Sequence, residues 1–232
     1  MSKIIWKGIN SDSIKGLLIS ELPPISKPKM KTTITKIDGR DGDVIEELGY
    51  ESYIKTLKIG LTKDYDLDLI IKYFSGSGDL ILSNESNRIY KCAIVDKIDY
   101  EKLLRFKKAT IKFHTQPFKY LNNEEIIDLD ISDETSLIVE NKGLEISKPI
   151  IKLIGSGTIE VAINNSTFLI YKFPDDENEV TIDSQEEEAY LDGIYKNRNM
   201  TGIFPLLKPG KNSISWSGNL SKIIIEPKSR WL

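Results

Sequence analysis

The 232 residues carry 32 Lys and Arg against 35 Asp and Glu, a formal charge of −3, with one cysteine and one histidine. That balance argues against a dedicated nucleic-acid binder, whose affinity comes from a basic surface that neutralises phosphates, and a lone Cys92 excludes an intrachain disulfide or a CxxC metal or redox motif. Lys3 and Lys7 and the polar run by residue 10 leave no room for the apolar core of a signal peptide, so none is expected, and no stretch reaches the ~20 consecutive apolar residues of a membrane span.

The length allows two ordinary domains. In chain order, Lys27, Lys29 and Lys31 around Pro28 read as an exposed loop. Alternating, β-branched segments at 32–37, 53–59, 88–98 and 108–113 predict strands. Between them, Tyr65, Leu69, Ile70, Tyr73 and Phe74 recur at helical spacing behind a cap at Thr62 or Asp64, which predicts one amphipathic helix covering a face of the first sheet. Gly76/Gly78 read as a turn before a short strand. Past Gln116-Pro117-Phe118 the chain turns polar at Asn122-Asn123-Glu124-Glu125, which sets a boundary: residues 1–122 hold strands plus the helix, and 123–232 are strand and turn throughout. The second part is expected to contain strands at 150–154, 159–163, 167–173, 212–216 and 221–226, with Gly155/Gly157 as a hairpin turn. The fold class is all-β, two sandwich-like domains, the first with one α-helix.

Enzymatic signals are absent. His114 stands in strand alternation with no Ser or Cys motif beside it and reads as a strand residue rather than a general base. Cys92 reads as a small core hydrophobe. Asp64, Asp66 and Asp68 mimic the start of a calcium loop, but Leu69 stands where that loop needs glycine and Ser75 where it needs glutamate. Asp38-Gly39-Arg40-Asp41-Gly42-Asp43 is explained by turn chemistry. No catalytic residue, metal site or cofactor is expected. The aromatics Tyr171, Tyr190, Tyr195 and Trp216 could form a sugar-stacking platform, but they fall in apolar strands and read as core.

Several ordered segments resemble the siphophage distal tail (Dit) family from end to end. They are Trp6-Lys7-Gly8, Leu22-Pro23-Pro24, Ile37-Asp38-Gly39-Arg40-Asp41-Gly42, Phe113 to Tyr120, Lys148 to Gly157, Asn164-Asn165, Ile182 to Gln185, Gly202 to Asn212 and the closing Ser229-Arg230-Trp231-Leu232. The resemblance implies a structural hub of a long non-contractile phage tail. Its N-terminal β-sandwich would assemble as a hexameric ring, and a galectin-like C-terminal sandwich would lie on the periphery. It also implies partners: other copies of the chain, the tail tube protein and the tail-tip or receptor-binding proteins, with DNA crossing the lumen unbound and no membrane contact. The location implied is the virion tail tip, after assembly in the host cytoplasm.

Asp38, Arg40, Asp41 and Asp43 are the interface candidates, with Glu46 and Glu47 in the same acidic stretch, expected as an exposed loop in the bore or at a subunit contact. A bore lined with acids rather than lysines would let DNA pass. Arg230 and Trp231 are expected to anchor the C-terminus, with Trp231 packed. The alternative is a carbohydrate-binding module of a tail tip.

Overall fold

The computed structural model of the chain describes residues 2–165 and 167–232. Contacts divide it into two compact units, residues up to Asn122 and residues Asn123–Trp231. The first is built of β1 (Ile4–Trp6), β2 (Ile9–Asn10), β3 (Leu17–Glu21), β4 (Met30–Lys36), β5 (Asp43–Tyr50), β6 (Tyr53–Leu61), α1 (Leu67–Tyr73), β7 (Ser77–Leu82), β8 (Arg88–Ala93), α2 (Tyr100–Phe106) and β9 (Lys108–Leu121). Its main sheet runs β2-β1-β7-β8-β9-β6-β3, and β4-β5 stand apart as a two-stranded sheet.

The fourteen-residue β9 organises this unit. Its first half pairs with β6, from Lys108 to Thr115, and its second half with β8, from His114 to Leu121. One arm of the sheet therefore grows from each half. Both arms send alternate side chains into a single core: Leu80, Leu82 and Tyr90 from one, Leu57, Ile59, Ile111 and Phe113 from the other. Trp6 meets Phe113 edge to face, ring centroids 5.1 Å apart.

The helix read from the 65–74 periodicity is present as α1, with Ile70 and Tyr73 buried and Phe74 packed in the same core. Its cap is Asp66, whose carboxylate accepts from the Leu69 amide at 3.1 Å, rather than Thr62 or Asp64. Thr62 instead bonds the Asp64 carbonyl, and the Asp64 carboxylate meets Lys15 at the surface.

A second helix, α2, adds to the one that the sequence suggested. It is capped by Asp99 on the Lys102 amide and stopped by Lys107 in the left-handed region. Seven residues that bury fully only Leu103 give almost no periodic signal. Strand β8 correspondingly ends at Ala93, short of the 88–98 expectation. Gly76 precedes β7 and Gly78 lies within it, paired with Cys92, so neither closes a β-hairpin.

The second unit comprises β10 (Ile127–Asp130), β11 (Ser136–Asn141), β12 (Ile150–Ile163), β13 (Thr167–Lys172), β14 (Glu179–Asp183), β15 (Glu188–Leu191), β16 (Ile194–Tyr195), β17 (Met200–Gly202) and β18 (Gly210–Glu226). The segments 150–154 and 159–163 are one strand, β12, and 212–216 and 221–226 are one strand, β18. These two pair along their length.

Gly155 and Gly157 do not make the hairpin turn that the sequence suggested. The β12-β18 register shifts at Ile154/Gly155 and again between Ser156 and Glu160, and glycine is what lets the backbones approach there. A Cβ on Gly155 would stand 2.4 Å from the Asn219 carbonyl, and one on Gly218, at φ +97°, 2.3 Å from the Thr158 carbonyl. Beyond the bulge each long strand changes partners. Lys152 and its neighbours pair with β14, whereas Thr158 to Ile163 pair with β13. Likewise β10 takes the far half of β18 and β11 the near half. Both halves face one core, with Ile151 and Leu153 before the bulge and Ile159, Val161 and Ile163 after it. One continuous ladder thus forms both layers of a β-sandwich.

Candidate assembly surfaces

Among the described residues, the β4-β5 ribbon stands apart from both main sheets as a two-stranded sheet of its own. Residues 31–49 are exposed throughout. Register pairs Ile34 with Ile45, Thr35 with Val44, Lys36 with Asp43, Thr33 with Glu46 and Thr32 with Glu47. Because partners share a face and neighbours alternate, Ile34 and Ile45 lie on one face of the ribbon and Val44 on the other. Ile34 is 57% exposed, Ile45 62% and Leu48 57%, far beyond what a core would leave.

The turn at the tip is Asp38 to Gly42. Gly39 and Gly42 sit at φ +78° and +79°, and the Arg40 amide donates to the Ile37 carbonyl at 3.1 Å. Asp38, Arg40 and Asp41 share this turn and Asp43 opens β5, so the structure brings these four candidates together, all exposed. Asp43, Glu46 and Glu47 stand on a strand rather than in the loop the sequence suggested. The acid-rich stretch masks the strand, in which Val44 and Glu46 share one face and Ile45 lies on the other.

The root of the ribbon is tied down. One leg reaches it through an extended strap, residues 22–29; the other passes straight into β6 after Glu51 and Ser52. At the root the Glu51 amide donates to the Lys29 carbonyl at 2.8 Å, and the Tyr50 ring meets Phe118 of β9 at 5.9 Å. Lys27, Lys29 and Lys31 are exposed, and Lys29 pairs with Glu51.

Beneath the strap lies a buried polar group of residues. Lys55 is 2% exposed and donates to the Pro24 carbonyl at 3.1 Å, with its ammonium 4.5 Å from the Tyr90 ring centroid and 5.4 Å from that of Tyr53. Glu85 accepts from Lys119 at 2.6 Å and from the Tyr90 hydroxyl. Burial pushes the Lys55 ammonium below the usual lysine range, with Glu85 acting in the opposite sense.

In the second unit, two of the four aromatics raised for sugar stacking are core: Tyr171 is 0% and Trp216 7% exposed. Tyr190 and Tyr195 are cross-strand partners on β15 and β16, joined by an Asp192-Gly193 turn with φ of 48° and 77°. Tyr195 is exposed and Tyr190 half-buried. Arg230 donates through Nε to the Ile146 carbonyl at 2.6 Å, and its own carbonyl accepts from the Leu144 and Glu145 amides. Trp231 is half-buried.

His114 lies on β9 between β6 and β8, with Ser52 Oγ 3.5 Å from its Nε2. Buried Cys92 meets Thr115 at 3.4 Å. Among the described residues no group of three or more His, Cys, Asp or Glu could hold a metal, and no helix is long and apolar enough to cross a membrane.

No protein-family model matches the sequence, and no curated protein sequence matches it. Among solved structures, the chain is similar to the SPP1 Dit protein, described as a paradigm of the hub adsorption apparatus in phages infecting Gram-positive bacteria. The identity is 17%, the TM-score 0.72, and the match covers 100% of both chains. It is also similar to a chain of the phage P2 baseplate in its activated conformation with Ca, at 11% identity and TM-score 0.51, covering 97% of this chain and 96% of that one. At these identities the likeness shows the fold: an all-β, Dit-like architecture over the whole length.

Proposed function

We propose that the chain is a non-enzymatic structural hub of a phage tail, located at the tail tip of the virion and assembled in the host cytoplasm. Copies close into a hexameric ring between the tail tube and the tail-tip proteins. The observation that carries this reading is the end-to-end likeness to a hub protein.

The β4-β5 ribbon is the element best suited to join copies. An isolated two-stranded hairpin is marginal in water, and this one carries isoleucine on one face and valine on the other with no cover from its own chain. A head-to-tail contact in which the ribbon of one copy lies on its neighbour closes into a ring when the rotation allows. DNA passes through the bore without specific binding. The acids Asp43, Glu46 and Glu47 are suited to a wall that phosphates do not grip. The second unit lies at the periphery as a galectin-like sandwich.

Electron microscopy of virions labelled with an antibody to this chain tests the location, and light scattering of the purified protein tests the mass. Label at the tail tip together with a six-fold ring is expected; virions whose tails lack the chain would refute the reading. A second reading, glycan binding by the second unit, is favoured only by the adjacent Tyr190 and Tyr195.

A further inference from the structure

The two legs of the β4-β5 ribbon leave the first unit differently. The leg after β5 needs no special device, because only Glu51 and Ser52 separate it from β6. The strap before β4 has little ladder bonding available. Pro23, Pro24 and Pro28 have no amide to donate, so this leg depends on its carbonyls finding donors elsewhere. Two side chains supply them: Asn84 Nδ2 donates to the Pro23 carbonyl at 3.3 Å and Lys55 Nζ to the Pro24 carbonyl at 3.1 Å.

Lys55 has a special place in this arrangement. Its backbone is part of β6, the continuation of the second leg, where it pairs with Phe113 of β9. Its ammonium holds the first leg. One residue therefore joins both legs at the root. A buried ammonium is a costly way to fill a core position, and an apolar side chain of the same length would fill it at lower desolvation cost. What the apolar replacement could not do is bond the Pro24 carbonyl.

We infer that Lys55 is a positioning residue that sets the direction of the β4-β5 ribbon for docking onto a second copy of the chain. The inference rests on reading the ribbon as the contact between copies. The ribbon has few contacts of its own, so its aim is set at the root. A ribbon fixed in its docking direction loses less freedom on association than one that swings.

The test uses the full chain with nitroxide labels at Asp41→Cys on the ribbon tip and Lys63→Cys in the turn before α1, diluted with unlabelled chain so that only intramolecular distances are read. Native Cys92 is buried and its thiol is pushed up to about 11 by that burial, so it stays unlabelled. The parent should give one narrow distance.

Lys55→Met should keep or raise the melting temperature, broaden the distance distribution about twofold, and weaken association between copies about tenfold, the scale of losing preorganisation. Should Lys55→Met fail to fold, Asn84→Ala removes the other strap bond from an exposed position and should broaden the distribution by itself. An unchanged distribution in the folded variants overturns the inference, and so does a Lys55→Met chain that associates as tightly as the parent. Because the distance measurement needs no assembly, it decides the anchoring role even if the parent chain proves absent from tails, an outcome that refutes the hub reading alone.

Discussion

Two long antiparallel ribbons in this chain, β12-β18 and β4-β5, are made of the same materials and meet opposite fates. Each is rich in β-branched residues and each carries a register shift. In β12-β18 one face is buried, with Ile151, Leu153, Ile159, Val161 and Ile163 pointing inward, while the other carries Lys152 and Glu160 beside half-buried Ile150, Ile154 and Ile224. The buried face packs into the core of the second unit. In β4-β5 Ile34 and Ile45 take one face and Val44 the other, and neither is covered. Alternation that matches the pleat builds a core inside the chain; a ribbon whose isoleucines are left exposed presents a surface that only another molecule can complete.

The most severe way to probe this contrast is to truncate the same residue type in each ribbon. Ile223 on β18 is fully buried, and Ile223→Ala should lower the unfolding free energy by about 2–5 kcal/mol. Ile45→Ala, at a side chain 62% exposed, should change it by no more than about 0.5 kcal/mol. Denaturant titration of both variants decides the matter. Equal costs would mean that the ribbon folds against its own chain.

Next in size is the effect on association. Ile45→Glu should leave the melting temperature in place but weaken contact between copies by about 2 kcal/mol or more, the scale of a central interface residue. Sedimentation of the purified chain across a concentration series reads this. Unaltered association would move the contact to another surface and leave the ribbon without a role.

The glycines give a finer contrast, because the two ribbons use positive φ for different ends. Gly42 at the ribbon tip has φ +79° and nothing within 4 Å of a built Cβ, whereas Gly218 has φ +97° and the Thr158 carbonyl at 2.3 Å. Gly42→Ala should carry backbone strain of roughly 1 kcal/mol, and Gly218→Ala roughly 1–3 kcal/mol from strain with the clash added to it. Thermal melts that rank Gly42 above Gly218 would contradict the bulge geometry.

These same positions show what the sequence discloses. Strand identity was legible wherever alternation was clean, as at 53–59, 108–113 and 159–163. Continuity was not, because Gly155 and Gly157 have the composition of a turn whether they reverse the chain or let two strands cross closely; the Asn219 carbonyl that decides between these is more than sixty residues away. α2 went unseen because a seven-residue helix with one fully buried side chain has no period to detect. The acids of the interface candidates were legible as an exposed cluster, but the ribbon that carries them was not, since Glu46 and Glu47 interrupt the apolar pattern of β5. Lys55 was invisible as an anchor. Alternation places Lys55 in phase with buried Leu57 and Ile59, but the sequence carries no sign that the Pro24 carbonyl, some thirty residues earlier, lies within reach of its ammonium.

The smallest expected effect bears on the alternative reading of the second unit. Trp216→Ala cannot test sugar binding, since Trp216 is 7% exposed and its loss would disturb the core itself. Tyr195 is the informative position. It is 66% exposed on β16 and cross-strand from Tyr190, so the pair offers ring surface to solvent on a short, well-turned hairpin. Sugar rings stack their C–H faces on aromatic side chains of this kind. Removing a largely exposed ring should change stability by no more than about 0.5 kcal/mol, so any loss of binding in Tyr195→Ala would report recognition rather than folding. The hub reading expects the purified chain to show no retention on immobilised host cell-wall glycans, and Tyr195→Ala therefore to behave as the parent does. Retention by the parent that disappears in Tyr195→Ala at unchanged melting temperature would give the second unit a direct role in host recognition, beside any part the first unit has in assembly.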